Sequence, residues 1–328
     1  MIYEGGCVKE FFKKLTENIL SHDNIVIMTH KCPDLDGMGS AIAFNEILKK
    51  LRKKSCIVAP KSICDKSLNK TIKYLNDKKY VIPFKYEKKI NDKNTFLIIF
   101  DTGEDVLTES EDVLNKIKDR CVIDHHTILC NKIINNVCEY IDETKSSTIE
   151  IVAEYLKYLD TKIDSDFYTI MFTGMYIDTN GFNLKTTPRT LYIASYLVSM
   201  GADIKLKQEF LKESIDDVLI RYEYVKKCVK LDNNIYLCVI DDRYSTKLDT
   251  ALLADEMLKF EGFNVSIAIG KNSNDEVLIS ARSNGSIDVC KIMSKFGGGG
   301  RVGAAAATIK NSTIESVINK LKNVIKGE

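Results

Sequence analysis

Residues 24–40, NIVIMTHKCPDLDGMGS, decide the fold because they combine an apolar strand, a polar cluster and the start of a helix. The β-branched apolar run at residues 25–28 is typical of a buried strand in a parallel sheet. Pro33 keeps Cys32 out of the helical region, and a helix is predicted over residues 38–50. Ligands of open α/β sheets bind beyond the carboxyl ends of strands, so we expect the chemistry where this strand ends.

The polar cluster in this stretch consists of His30, Asp34 and Asp36. One imidazole and two carboxylates so close in sequence suit a hard divalent cation such as Mn²⁺ or Mg²⁺ better than a cation that prefers thiolates. A simpler alternative also fits: Asp34 and Asp36 could be turn and helix-capping residues only.

Two further predicted strands end in residues of the same chemical kind. Residues 95–100 (TFLIIF) lead to Asp101, and residues 121–123 lead to a second cluster. That cluster is Asp124, His125 and His126. Three of the four histidines therefore lie at predicted strand ends beside aspartates.

Each of these residues has a separate structural explanation. Asp101 could cap a helix, and His126 could be a hydrogen-bonded core histidine. Asp178, which follows the apolar run TIMFTGMYI, could end a helix through a local side-chain bond. Taken together, however, the fragments point to one edge of one parallel sheet, which favours a shared site.

Length and composition limit the class of protein. The chain has 328 residues, 45% of them hydrophobic, and this length favours two domains over one. A net charge of +1 gives no positive field for long nucleic acids, so no long nucleic-acid partner is expected. Only seven of the 47 basic residues are Arg, so an Arg within a motif is informative.

Cysteine usage and hydropathy indicate the compartment. Ten cysteines are present without a C-x-x-C pair, which predicts reduced and mostly buried thiols. No apolar run approaches the roughly 20 residues of a membrane helix, and the N-terminus lacks a secretory h-region. We therefore expect a soluble, cytoplasmic protein without a membrane partner.

The rest of the chain predicts an α/β protein with a parallel sheet flanked by helices in residues 1–203. Ser147 begins a helix with a capping box (STIE), and another helix ends at Asp178. The charged run at residues 205–230 predicts one long helix within a linker, residues 204–232. Alternating strands and helices then predict a smaller α+β domain, residues 233–328.

Several motifs resemble those of the DHH phosphoesterase family. HKCPDLDGMGS resembles the first motif, FDTGE the second, VIDHH the motif that names the family, and TGMYIDTNGF the fourth. ISARSNGSIDVCKIM and FGGGGRVGAAAATI are similar to the C-terminal substrate-binding domain. The resemblance covers about residues 20–310. It is strongest to the catalytic portion of bacterial cyclic-di-AMP phosphodiesterases, here expected as an independent protein, and next to nanoRNases that also act on pAp.

This resemblance implies a set of metal ligands and catalytic residues. It places one Mn²⁺ on His30, Asp34 and Asp101, with Mg²⁺ as the possible substitute. It places a second ion on Asp36, Asp101, His125 and Asp178. Asp124 then orients an imidazole and His126 contacts phosphate, so the implied catalytic residues are Asp101, Asp124, His125 and His126.

The resemblance also implies a substrate-binding set in the C-terminal domain. Arg282 and Ser283 match phosphate ligands, and guanidinium suits bidentate phosphate recognition. Gly298, Gly299 and Gly300 match a glycine-rich motif whose amides approach the substrate, although a glycine run also serves flexible turns. Where the family has His after these glycines, this chain has Arg301, which cannot shuttle a proton.

The leading functional hypothesis is a Mn²⁺-dependent phosphodiesterase that hydrolyses cyclic-di-AMP, or its linear product pApA, to 5′-phosphorylated nucleotides. The first alternative is a nanoRNase with pAp 3′-phosphatase activity. The second, prompted by Arg301, is a non-catalytic nucleotide sensor. The expected partner is a small nucleotide, with a homodimer as a further hypothesis.

Overall fold

The computed structural model describes residues 6–90, 92–128, 131–232, 234–241 and 243–327. The chain forms two compact units, Met1–Lys212 and Glu213–Glu328. The boundary between the units falls within the predicted linker, residues 204–232.

A six-stranded parallel sheet forms the centre of the N-terminal unit. Its strands are β1 (Asn24–Met28), β2 (Lys54–Val58), β3 (Phe84–Lys85), β4 (Thr95–Phe100), β5 (Arg120–Asp124) and β6 (Cys138–Ile141). Their spatial order is β3-β2-β1-β4-β5-β6, and all pairs are parallel. The chain runs outward from β1 in one direction and from β4 in the other, so the topological switch point lies between β1 and β4.

Helices accompany the strands of this unit. They are α1 (Gly6–Ser21), α2 (Leu35–Lys50), α3 (Lys66–Asp77), α4 (Glu111–Lys116), α5 (Thr148–Tyr158), α6 (Ser165–Asp178), α7 (Pro188–Ser199) and α8 (Ile204–Leu211).

The side chains of β1 alternate between two cores. Ile25 and Ile27 enter one core, and Val26 and Met28 enter the other. Burial of both faces confirms the predicted continuous apolar strands.

Glycines allow helices α2 and α6 to approach each other closely. On α6, a Cβ added at Gly174 would lie 2.8 Å from the carbonyl oxygen of Leu35 and in severe overlap with Ile149. On α2, a Cβ at Gly39 would lie 3.3 Å from the side chain of Ile170, a tight contact that a small shift of this side chain can relieve. The contact between α2 and α6 therefore depends most strongly on Gly174.

The C-terminal unit has a mixed six-stranded sheet in the order β11-β12-β10-β9-β8-β7. The strands are β7 (Val229–Asp232), β8 (Ile235–Val239), β9 (Val265–Lys271), β10 (Val277–Ser283), β11 (Gly299–Arg301) and β12 (Ala304–Ile309), and the helices are α9 (Ile215–Lys226), α10 (Lys247–Met257), α11 (Val289–Ser294) and α12 (Ile314–Lys326). Only β8 and β9 pair in parallel. This architecture confirms the predicted second α+β domain.

Two helix predictions need correction. The single helix predicted over residues 205–230 is instead α8 and α9, separated because Lys212 and Ser214 have extended backbones. Ser214 caps α9 by accepting a hydrogen bond from the Asp216 amide. Helix α2 begins at Leu35 rather than residue 38, because the Asp34 side chain accepts from the Gly37 amide and caps it.

Other differences concern short or polar features. Strands β3, β6, β7 and β11, which are two to four residues long, were not predicted. The first two residues of β7 fall within the run that was predicted as helix. The capping box at Ser147 is only half formed, because the Glu150 carboxylate accepts from Ser146 instead. All nine described cysteines are free, but only four of them are buried, so the prediction of mostly buried thiols is wrong. Among the described helices, none is long and apolar enough to cross a membrane.

Replacing Gly174 by Ala is expected to destabilise the N-terminal unit. Overpacking against the Leu35 carbonyl outweighs the helix propensity gained, leaving a net loss of about 1–2 kcal/mol. Urea unfolding monitored by circular dichroism measures this loss. Gly39→Ala is the control and should lose less, and equal stability of the Gly174 variant and the wild type would contradict the packing argument.

Candidate metal centre

Three adjacent parallel strands bring polar side chains to one edge of the N-terminal sheet. His30 follows β1, Asp101 follows β4 directly, and Asp124 ends β5 before His125 and His126. Because β1, β4 and β5 are neighbours, their carboxyl ends meet at the switch point. The structure thus brings together the residues that the three predicted strands deliver.

Helices supply the remaining carboxylates. Asp34 caps α2 and Asp36 lies in its first turn, where only 3% of Asp36 is exposed. Asp178 is the last residue of α6. Asp34 therefore does cap a helix, as the simpler alternative held, and its Oδ1 is the atom that accepts the capping hydrogen bond. The same Oδ1 also lies 3.8 Å from Nε2 of His30.

The ligand atoms form two overlapping groups. Around His30, Nε2 lies 3.4 Å from Oδ2 of Asp101. Around His125, Nε2 lies 3.7 Å from Asp36, 3.5 Å from Asp101 and 3.4 Å from Asp178. The two oxygens of Asp101 face different groups, because Oδ1 is the one near His125 and Oδ2 the one near His30.

These separations fit a divalent cation. Ligands about 2.1 Å from a six-coordinate ion lie about 3 Å apart when adjacent and about 4.2 Å apart when opposite. Three triads have ligand atoms within 4.8 Å of one another, and this is compatible with metal binding. The triads are His30 with Asp34 and Asp101, Asp36 with His125 and Asp178, and Asp101 with His125 and His126.

The electrostatics of the described residues favour a positive charge at the same place. Burial, followed by the charges of Asp101 and Asp178, raises the pKa of Asp36 well above its usual value. Burial alone would lower the pKa of His30, but the carboxylates of Asp101 and Asp34 raise it well above the ordinary value. A bound cation would relieve the repulsion among these carboxylates.

Asp124 holds the two histidines that follow it. Its Oδ1 accepts hydrogen bonds from the His125 amide at 2.7 Å, the His126 amide at 3.1 Å and Nδ1 of His126 at 2.8 Å. Asp124 is 1% exposed, whereas 39% of the His126 side chain is exposed. The sequence-based role of Asp124 in orienting an imidazole is compatible with these bonds.

The backbone of Asp101 is unusual. Its φ of 65° lies in the left-handed region, which few non-glycine residues adopt. Such a conformation costs about 1–3 kcal/mol and persists only where the surroundings enforce it. Here the amide of Asp101 donates to the carbonyl of Ile123 on β5, and this bond ties the residue to the neighbouring strand.

The start of α5 and Gly37 were not predicted to belong to the site. The Thr148 hydroxyl donates to Asp101 Oδ1 at 2.8 Å, and the amides of Thr148 and Ile149 donate to Asp36 at 2.8 and 2.9 Å. A Cβ at Gly37 would lie 3.1 Å from Oδ2 of Asp101 and 3.2 Å from Nε2 of His30. The capping pattern STIE was the available signal, but it does not specify these partners.

In the C-terminal unit, the predicted phosphate residues have defined partners. Arg282 donates to Asp255 through Nε at 2.7 Å and Nη2 at 3.3 Å. Ser283 is buried, and its hydroxyl accepts from the amides of Gly285 and Ile287 and thereby shapes the loop. The Asp255 partner was not predicted.

The glycine run packs tightly against β12. A Cβ at Gly298 would lie 2.5 Å from Cβ of Ala307, and one at Gly300 would lie 2.5 Å from Cα of Ala305. Gly300 also has a φ of 147°. Gly299 lies between them in β11, so part of this motif is required by the sheet itself.

Comparison with known proteins identifies the family. The DHH family N-terminal domain matches residues 24–175, and the DHHA1 domain matches residues 233–327. The chain therefore belongs to the DHH family.

Curated relatives include enzymes of two kinds. The chain is 30% identical over 321 residues to the cyclic-di-AMP phosphodiesterase GdpP of Bacillus subtilis, covering 95% of this chain and 49% of that protein. It is 25% identical over 309 residues to the bifunctional oligoribonuclease and PAP phosphatase NrnA of Mycoplasma pneumoniae, covering 89% and 90%. The chain thus spans about half the length of the first of these relatives.

Solved structures share the fold. An exopolyphosphatase-related protein from Bacteroides fragilis matches with a TM-score of 0.81 at 20% identity, covering 97% of both chains. The structure of RecJ with Mn²⁺ from Thermus thermophilus matches with a TM-score of 0.59 at 11% identity, covering all of this chain and 56% of RecJ. Both likenesses support the α/β fold class.

Replacing Gly37 by Ala is expected to weaken divalent-cation binding roughly tenfold, because the new methyl group displaces Asp101 or His30. Calorimetric titration of the metal-free chain with Mn²⁺ measures the affinity. Gly39→Ala is the matched control on the same helix, since its methyl group meets only apolar carbons. Unchanged affinity in the Gly37 variant would show that the cluster tolerates this displacement.

Proposed function

We propose that the chain is a divalent-metal-dependent phosphodiesterase that hydrolyses cyclic-di-AMP, or its linear product pApA, to 5′-phosphorylated nucleotides. The observation that carries the proposal is the convergence of six predicted ligand residues at the switch point of the parallel sheet. Similarity to a named cyclic-di-AMP phosphodiesterase over 95% of this chain supports the substrate class.

The proposed cofactor is a pair of Mn²⁺ ions, for which Mg²⁺ could substitute. One ion would be held by His30, Asp34 and Asp101, and the other by Asp36, Asp101, His125 and Asp178. Imidazole and carboxylate donors suit Mn²⁺, and RecJ, which shares the fold, is known with bound Mn²⁺. When bound, such a pair neutralises phosphoryl charge and makes water more acidic.

We assign separate roles to the residues of the site. Asp101 presents one oxygen to each ligand group, a disposition suited to a bridging carboxylate. Asp124 fixes the His126 ring through Nδ1. We assign His126 to a phosphate oxygen of the substrate, because this ring is the more exposed of the pair and Asp124 already engages its Nδ1.

Arg282 and Arg301 form the proposed phosphate grip of the C-terminal unit. Both pair in register with Ala304, one from β10 and the other from β11, so the three residues stand in one row across the sheet. Directly opposed residues share a face, and two strand spacings place the two arginines about 10 Å apart with only a methyl group between them.

The guanidinium groups of Arg282 and Arg301 differ in how far other residues already occupy their hydrogen-bond donors. Asp255 uses two donors of Arg282 and holds it in place, and further donors remain for an anion. Within the described residues, the Arg301 side chain has no ion pair. Gly298, Gly299 and Gly300 set the backbone that carries Arg301, and Ser283 shapes the loop after β10.

A second candidate is a nanoRNase with pAp 3′-phosphatase activity. The match to the oligoribonuclease and PAP phosphatase of Mycoplasma pneumoniae, which covers both domains, favours it. A non-catalytic nucleotide sensor is the third candidate, prompted by Arg301 alone. The intact cluster of ligand residues favours an enzyme over a sensor. The homodimer stays a prediction.

Incubation of the chain with Mn²⁺ and cyclic-di-AMP, pApA or pAp, each separately, tests the proposal. We expect hydrolysis of cyclic-di-AMP or pApA, resolved by chromatography, with loss on chelation and recovery with Mn²⁺ but poorly with Ca²⁺, whose bonds are longer. Asp101→Asn should abolish turnover while the fold persists.

Distinct outcomes separate the candidates. Faster hydrolysis of pAp than of the dinucleotides favours the phosphatase, and tight binding without hydrolysis favours the sensor. Full activity after exhaustive chelation, or near-normal turnover in Asp101→Asn, would remove the metal centre from the mechanism.

Replacing Arg301 by Ala is expected to raise KM roughly ten- to a hundredfold with little change in kcat, because a charge-assisted contact to phosphate contributes about 1.5–3 kcal/mol. Steady-state kinetics on the preferred substrate measures the effect. Arg301→His should recover affinity only below pH about 6.5, since imidazole loses its charge above its pKa.

Arg243→Ala is the matched control for loss of one positive charge. Arg243 lies in the same unit, where it pairs with Asp249. Unchanged kinetic constants in the Arg301 variant would identify Arg301 as a solvated residue at the end of β11.

A further inference from the structure

The segment that enters α5 contacts three of the predicted metal ligands. This segment, residues 145–149, is called the entry segment. The Lys145 carbonyl lies 3.3 Å from Nδ1 of His125, on the opposite side of the ring from the Nε2 that faces the carboxylates. The amides of Thr148 and Ile149 bind the two oxygens of Asp36. One short piece of backbone therefore orients an imidazole and a carboxylate.

The side chain of Thr148 acts on a third ligand. Thr148 is fully buried, and its hydroxyl donates to Oδ1 of Asp101 at 2.8 Å. The other oxygen, Oδ2, lies 3.4 Å from Nε2 of His30. By binding one oxygen only, the hydroxyl fixes the rotation of the carboxylate, so that each oxygen faces its own group of ligands.

Buried charged groups hold the entry segment in place. Nζ of Lys145 lies 2.8 Å from Glu154 and 3.5 Å from Oε1 of Glu150. Oε2 of Glu150 accepts from the amide of Ser146 at 3.2 Å, from its hydroxyl at 2.6 Å, and from the hydroxyl of Thr190 at 3.0 Å. These bonds attach the segment to α5 and α7, so it can act as a fixed support.

We propose that Thr148 is a positioning residue, which sets the orientation of the Asp101 carboxylate between the two metal positions. The inference rests on the proposed function, because it assumes that Asp101 binds metal. Residues that hold metal ligands from behind commonly change metal affinity ten- to a hundredfold when they are replaced. Thr148 does not belong to any of the ligand triads, so its effect would arise through Asp101.

Three substitutions at one position test the inference. Thr148→Val removes the hydroxyl and keeps the shape, Thr148→Ala removes it without a branched side chain, and Thr148→Ser keeps the donor. Titration calorimetry with Mn²⁺ should show affinity roughly ten- to a hundredfold weaker for Val and Ala, with Ser close to the wild type. Thr173→Val is the control, since the Thr173 hydroxyl is also buried but donates to the Thr169 carbonyl within α6.

Thermal unfolding of the metal-free variants distinguishes an effect on the position of Asp101 from an effect on the stability of the fold. We expect Thr148→Val and Thr173→Val to lose similar stability, while only the former loses Mn²⁺ affinity. Wild-type affinity in both Thr148→Val and Thr148→Ala would overturn the inference and leave the proposed function standing. Absence of Mn²⁺ binding in the wild type would overturn both. Because binding is measured directly, a chain that binds Mn²⁺ without hydrolysing the substrates still decides the inference.

Discussion

Mutual repulsion among buried carboxylates is the constraint on which this site depends. Asp36 and Asp101 are each 3% exposed, and the pKa of Asp36 is raised by burial and by the charges of Asp101 and Asp178. Buried charges of one sign need donors or a cation. Amides at the start of α5 and the Thr148 hydroxyl supply donors to two of these residues. The remaining repulsion is electrostatic, and a bound divalent cation would relieve it.

The parallel sheet explains why the carboxylates meet at all. Strands β1 and β4 are adjacent in space although their last residues, Met28 and Phe100, are far apart in sequence, and the chain leaves them in opposite directions. The crevice between their carboxyl ends is where α/β proteins place ligands. Helices α2 and α6 deliver their acidic residues to the same place because Gly174 permits a close approach. The close packing of α2 and α6 is therefore required both by the fold and by the site.

Much of this arrangement was predictable from local sequence, because short apolar strands end in the residues that form the cluster. Parallel pairing then brings His30, Asp101 and Asp124 together without any long-range information beyond strand order. Thr148 and Gly37 were missed, because their importance lies in contacts with residues distant in sequence. The break at residues 212–214 was missed although its cause is local, because a capping serine in a charged, periodic run leaves the periodicity unchanged.

In the proposed metal centre, Asp101 would bridge two metal ions held by the six predicted ligand residues. Diffraction from crystals grown with Mn²⁺, recorded on both sides of the manganese absorption edge, tests it most directly, because the anomalous difference map shows manganese alone. We expect two peaks about 3.5–4 Å apart, each beside a different oxygen of Asp101. A single peak, or peaks that do not contact Asp101, would contradict it.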